Sequence, residues 1–164
     1  MKIVCASSVL HAREAFSGLG EVELLPDRDI RRDHLLDADA LIVRSKTVVN
    51  AELLEDTPVS FVATATAGAD HFDIPFLNSA DIAWTASPGC NANAVAEYVT
   101  TALALLARKR AALLPGLTLG IVGVGQVGSR VATKATLLGL RVLRNDPPLA
   151  LKTGSSDYIP LDTL

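Results

Sequence analysis

Glycines at three fixed positions, in the run Gly123-Val124-Gly125-Gln126-Val127-Gly128, carry the most specific chemistry in this 164-residue chain. They follow an apolar, strand-like stretch, Leu117 to Val122. They open a segment whose Val127, Val131, Ala135 and Leu138 fall on one helical face. Between a strand and a helix each glycine has a task. Gly123 permits a tight turn, Gly125 lets a pyrophosphate approach the backbone, and Gly128 lets the helix pack close to the strand. The helix start then presents free N–H groups to the anion. A second strand, RVLRND, ends at Asp146, 23 positions after Gly123. A carboxylate there would accept hydrogen bonds from the ribose diol of a dinucleotide and repel a 2′-phosphate. The pattern therefore predicts NAD rather than NADP, a preference that Arg144 on the same strand face weakens.

Other reactive side chains carry less. His71, in GADHFD, has no nucleophile or carboxylate fixed beside it by sequence, and reads as a loop or packing residue. Cys5 and Cys90 lie far apart without paired spacing, so neither a disulfide nor a metal site is expected, and nothing marks Cys90 as a thiolate. Gly68 and Gly89 read as backbone positions that only glycine tolerates. His11, His34, Arg13, Glu14 and the run from Arg28 to Arg32 read as solvated surface.

Composition narrows the function classes. Fifteen Lys+Arg against 18 Asp+Glu give a net charge of -3, with no basic footprint for nucleic acid or an anionic membrane surface. The first apolar stretch, KIVCASSVL, is short and interrupted by Ser7-Ser8, which reads as a strand rather than a secretory signal. The longest apolar region, Val95 to Val124, contains Arg108-Lys109-Arg110 and Pro115, so no span of ~20 residues is available. These features point to a protein of a reducing cytoplasm.

The elements that position this chemistry can be read from the apolar runs. KIVCA, EVELL, ALIVRS, SFVATAT and DIAWTA alternate with helix-like stretches such as Leu10 to Leu19. Asp73 is placed to cap a helix from Ile74 to Ser79. Five parallel strands in ~90 residues predict an α/β, flavodoxin-like domain over residues 1–93. From Asn93 a long alanine-rich helix is expected, capped by Asn91 or Asn93, ending in a basic cluster that suits the dipole and broken at Pro115-Gly116. Being apolar nearly all round, it is expected to be buried between domains or against a second copy. Residues 94–164 then comprise this connector and the first βαβ unit of a Rossmann NAD-binding domain.

The strings ADALIVRS, FVATATAGADH, SPGCNANAVAEYV, LGIVGVGQVGSRV and NDPP resemble the D-2-hydroxyacid dehydrogenases, specifically the branch that oxidises 4-phospho-D-erythronate at its 2-hydroxyl with NAD in vitamin B6 biosynthesis. The resemblance covers nearly the whole chain. It implies that Ser45 and Thr66 contact the phosphorylated acid, and that Gln126, Val127 and Asp146 contact NAD. Both hydroxyls stand where strands run out, on the rim where open α/β sheets bind ligands. Arg44 and Lys46 flank Ser45 and would raise the local potential for an anion.

Two departures qualify the resemblance. Ala6-Ser7-Ser8 replaces an acidic, amide-bearing loop, which puts a ligand contact from that loop in doubt. Members of the branch are well over twice as long, and only 48 residues follow Gly116 here. The expectation is an amino-terminal part in which SSDYIPLDTL stands where a next helix should begin. The family's carboxylate-binding Arg, its His base and the Glu that tunes it would lie beyond Leu164. No catalytic residue is therefore assigned, and residues 1–164 alone are expected to be inactive and to self-associate, as a homodimer or larger, through the connector helix and an unpaired strand edge at Leu140 to Asp146. Alternatives are a dehydrogenase of another D-2-hydroxy acid such as 3-phosphoglycerate, or a non-catalytic NAD-binding or dimerisation module.

Overall fold

The computed structural model describes residues Met1–Leu164, which divide into two compact units, Met1–Pro88 and Gly89–Leu164. In the first, strands β1 (Lys2–Ala6), β2 (Glu21–Leu25), β3 (Ala40–Val43), β4 (Phe61–Thr64) and β5 (Ala83–Thr85) form one parallel sheet of order β2-β1-β3-β4-β5. This is the flavodoxin-like order expected from the sequence. The two strands β1 and β3 lie inside the sheet, and their runs of Ile, Val, Cys, Ala and Leu are buried almost without interruption, as in a sheet covered on both faces. Val4, Leu41, Val43, Val62 and Leu77 are fully buried and centre the core.

Helices α1 (Ala12–Phe16), α2 (Ala51–Leu54) and α3 (Ile74–Ser79) connect the strands. Asp73 caps α3 as predicted, its side chain accepting from the Phe76 N–H at 3.1 Å. The helix expected over Leu10 to Leu19 shrinks to five residues. Leu10 and Leu19 are exposed, so the flanks bury no apolar face that would hold a longer helix. The helix α2, which composition did not suggest, forms because the Asn50 side chain accepts from the Leu53 N–H while Leu53 and Leu54 are buried.

The second unit comprises α4 (Ala92–Lys109), β6 (Thr118–Val122), α5 (Gln126–Leu137), β7 (Arg141–Asn145) and α6 (Pro147–Thr153). β6 and β7 are parallel, with Thr118 opposite Arg141 and Val122 opposite Asn145, which makes β6-α5-β7 the expected βαβ unit. Gly139, at φ +80°, closes α5: its N–H bonds to Thr136 O and the Leu140 N–H to Ala135 O. That is the left-handed glycine stop anticipated from sequence.

Expectations for the end of α4, for the β7 edge and for the helix after β7 change here. α4 ends at Lys109 rather than near Leu114, because Ala111 turns left-handed (φ 50°) and lets the Ala112 N–H reach Ala107 O at 2.9 Å. Within this chain α4 is largely exposed: only Ala92 and Ala96 are buried, with Tyr98 76% and Leu105 54% exposed. Finally, the edge of β7 is paired at Arg144, and no α-helix begins within SSDYIPLDTL, where only a short 3-10 turn forms at Leu161–Thr163. Tyr158 forms a parallel bridge with Arg144, the Ile159 N–H donates to Arg144 O at 2.8 Å, and the Asn145 amide donates to Ile159 O at 2.8 Å. The helix forms earlier, at Pro147–Thr153, where Asp146 caps it.

Candidate functional site

The glycine turn has the geometry the spacing predicts. Gly123 is left-handed (φ +83°) and its N–H donates to Asn145 O at 2.8 Å, so the turn starts directly off the β6-β7 pair. At Gly125 a Cβ would meet no atom within 4 Å, which leaves the backbone open to an approaching group. At Gly128 a Cβ would overlap the carbonyl oxygen of Gly123, so here only glycine permits the close helix–strand packing. The N–H groups of Gly125, Gln126, Val127 and Gly128 find no acceptor in the protein. They stand at the start of a 12-residue helix, so four unclaimed donors and the positive end of a dipole come together at this turn.

The side chains around this turn behave differently from one another. Gln126 folds back: its Oε1 accepts from Arg130 Nη1 at 2.8 Å, and it lies against Gly89, itself left-handed at φ +81°. Val127 is partly buried against the cluster of Ala96, Ile121, Val124, Val131 and Ala132. Both residues therefore offer a ligand their backbone amides. Asp146 Oδ1 accepts from the Leu149 N–H at 3.0 Å and Oδ2 from the Val124 N–H at 2.8 Å. Its carboxylate is thus a helix cap and a tie to the turn, with its remaining lone pairs available to a diol. A cleft of about 430 Å³ adjoins it, walled by Pro147, Ala150, Leu151, Tyr158 and Ile159.

In the first unit, the register pairs Val43 with Thr64, and the Ala65 N–H donates to Val43 O at 2.9 Å. Ser45 and Thr66 therefore leave the ends of adjacent strands in step. Ser45 is exposed in a turn, and Thr66 is half-buried. Lys46, next to Ser45, lines a cleft of about 460 Å³ with Arg28, Arg31, Arg32 and Thr47. Two of those cations are already engaged: Arg31 bonds to the carbonyls of Arg28 and Ile30, and Arg32 to those of Ala51 and Glu52. Arg44 is drawn toward Ser8 O at 3.3 Å, and the Ser8 hydroxyl donates to Asp27 at 2.6 Å. The departing Ala6-Ser7-Ser8 loop is thereby held to the loop after β2.

Sequence reasoning passed over the polar network behind Thr66. Thr64, 2% exposed, lies 2.7 Å from Thr66 Oγ1 and 3.1 Å from His71 Nε2, and Thr66 donates to Gly68 O at 2.9 Å. The visible signal was the two-residue spacing of threonines at a strand end, which puts both on one face. Burial lowers the pKa of His71, with Asp70 opposing, so the ring is neutral at pH 7. Cys5 is buried and its thiol is pushed up to about 11, whereas Cys90 is exposed. No group of three or more His, Cys, Asp or Glu is arranged to hold a metal ion.

Residues 5–145 match the family described as D-isomer specific 2-hydroxyacid dehydrogenase, catalytic domain. The chain belongs to that family. Along all of its length it is 51% identical to erythronate-4-phosphate dehydrogenase of Salmonella paratyphi B, of which it covers 43%. The chain thus spans less than half the length of the curated relatives it matches. Among solved structures of the same family, NAD+-bound 3-phosphoglycerate dehydrogenase of Entamoeba histolytica superposes with a TM-score of 0.75 at 27% identity, over 97% of this chain and 57% of that one. D-lactate dehydrogenase of Aquifex aeolicus, complexed with NAD and lactic acid, superposes with a TM-score of 0.72 at 26% identity, over 88% and 51%. Each sheet described above therefore belongs to a 2-hydroxyacid dehydrogenase fold. No helix is long and apolar enough to cross a membrane.

Proposed function

We propose that the protein carrying this chain is an NAD-dependent oxidoreductase that oxidises 4-phospho-D-erythronate at its 2-hydroxyl, as a cytoplasmic homodimer. The observation that carries the substrate is the 51% identity along the entire chain to an erythronate-4-phosphate dehydrogenase. The cofactor reading rests on the glycine turn. Four unclaimed N–H groups at the head of α5 fit a pyrophosphate, Asp146 fits a ribose diol, and the apolar cleft beside it fits an aromatic base. When bound, NAD accepts the hydride that leaves C2.

This chain's own residues bind and orient. Gly123, Gly125 and Gly128 shape the turn, and the amides of Gln126 and Val127 face the cofactor phosphates. Ser45 and Thr66 hold the phosphorylated acid at the strand ends, with Lys46 adding positive potential. Dimerisation is supported by the exposed apolar stripe of α4, where Ala94, Tyr98 and Leu105 follow helical spacing. A full-length preparation tests the reading: NADH formation with 4-phospho-D-erythronate, greatly exceeding that with D-3-phosphoglycerate, supports it. A preference for 3-phosphoglycerate would move the protein to another substrate in the same family. Light scattering of that preparation decides the dimer.

A further inference from the structure

The hydroxyl hydrogens behind Thr66 can be counted. Gly68 O only accepts, so the contact at 2.9 Å commits the single hydrogen of Thr66 to it. The 2.7 Å contact between the two threonines must then use the hydrogen of Thr64. With its own hydrogen spent, Thr64 can only accept from His71 Nε2 at 3.1 Å. Thr64 is 2% exposed, which leaves no water to supply an alternative partner. The chain of bonds runs in one direction, from the ring of His71 through Thr64 to Thr66 and out to Gly68 O.

We infer that His71 is a positioning residue: through Thr64 it makes Thr66 an obligate outward donor, matched to an oxyanion of the substrate. This rests on the reading of Thr66 as a substrate contact. A carboxylate or phosphate oxygen accepts and does not donate, so Thr66 is useful to it only if its hydrogen is free to point outward. The reverse tautomer would let Thr64 donate to His71 and draw the Thr66 hydrogen inward. Switching from Gly68 O to a ligand oxygen costs little, because Gly68 is exposed and its carbonyl regains water, while a charged acceptor makes the stronger bond. The ring itself is set by the fold. The His71 carbonyl accepts from the Val49 N–H at 2.8 Å, and the ring stands edge-on to Phe72 at 4.7 Å.

The first measurement needs no substrate. Ring 15N shifts of His71 in the 164-residue chain at neutral pH should report hydrogen on Nε2, and hydrogen on Nδ1 would overturn the inference. The second uses the full-length enzyme. Removing the donor with His71→Leu should raise KM for the phosphorylated acid roughly 5- to 10-fold, as expected for one lost hydrogen bond. KM for NAD should stay unchanged. His71→Gln, which keeps an N–H donor, should restore most of that loss; equal KM values for Leu and Gln variants would count against the relay. Failure of the enzyme to oxidise 4-phospho-D-erythronate would instead refute the substrate reading, and the ring tautomer would still decide the direction of the bonds.

Discussion

From the end of β7, the carboxylate of Asp146 reaches the glycine turn that follows the neighbouring β6, its Oδ2 2.8 Å from the amide nitrogen of Val124, while its Oδ1 caps α6 through Leu149. One side chain therefore fixes the turn and starts the next helix, and in the proposed reading it also takes the cofactor ribose. Asp146→Ala should remove the cap and leave the Val124 N–H without its acceptor, costing about 1–2 kcal/mol in urea unfolding. Asp146→Ser keeps a capping oxygen but is too short to hold both amides, and should lose less. In the full-length enzyme both variants should weaken NAD and narrow the NAD/NADP preference in steady-state kinetics. Unchanged selectivity with lowered stability would reduce Asp146 to its capping role.

Gly123 and Gly128 are required for different reasons, which substitution separates. At Gly123 an added methyl meets no atom, so Gly123→Ala suffers only the left-handed backbone, roughly 1–2 kcal/mol. At Gly128 the methyl meets the backbone carbonyl of Gly123, which cannot rotate away, and the loss should reach or exceed the upper part of the ~1–3 kcal/mol range of overpacked sites. Chemical denaturation should rank Gly128→Ala as the more damaging. The opposite order would mean that the turn, rather than the helix–strand contact, limits stability.

Ala111 takes the place of a glycine at the end of α4. Its φ of 50° costs an L-residue strain that glycine avoids, and the bond from the Ala112 N–H to Ala107 O holds it there. Ala111→Gly should therefore raise the urea midpoint, by an amount equivalent to up to ~1 kcal/mol once the greater freedom of the unfolded glycine is subtracted. A lowered midpoint would show that Ala111 is not left-handed in solution.

The same position shows where sequence reading stops. The five strands, the βαβ unit, the Asp73 cap and the Gly139 stop were legible, because each depends on a local residue preference or on the period of apolar residues. The end of α4 was not, because Ala111 carries no left-handed signature and Pro115-Gly116 offered a more conventional break. The bridge from Tyr158 and Ile159 to Arg144 depends on a segment passing beside β7 after a helix that only Asp146 announces. In the site, the glycine turn and the strand-end hydroxyls were readable. The Thr64–His71 contact was not, since seven residues of loop must first fold back onto the strand.

His71 also links the site to acid stability. Burial disfavours its charged form, and although Asp70 partly opposes this, the pKa in the folded chain lies below the ordinary value of 6.5. As pH falls through about 6.5 the unfolded chain takes up the proton first, so it binds more protons than the native state and stability drops with falling pH. The loss develops between that ordinary value and the lowered one, and is absent at pH 7.5 or so, where both states are neutral. His71→Gln has no such proton to bind. Its thermal midpoint should fall less than the wild type's between about pH 7.5 and 5.5, the carboxylates contributing equally to both. A protonated ring still donates from Nε2, so the bond to Thr64 should survive the titration, and the KM for the phosphorylated acid should not follow the midpoint down. Parallel loss of midpoint and substrate affinity in wild type alone would place the ring's charge, not its N–H donor, in control of Thr66.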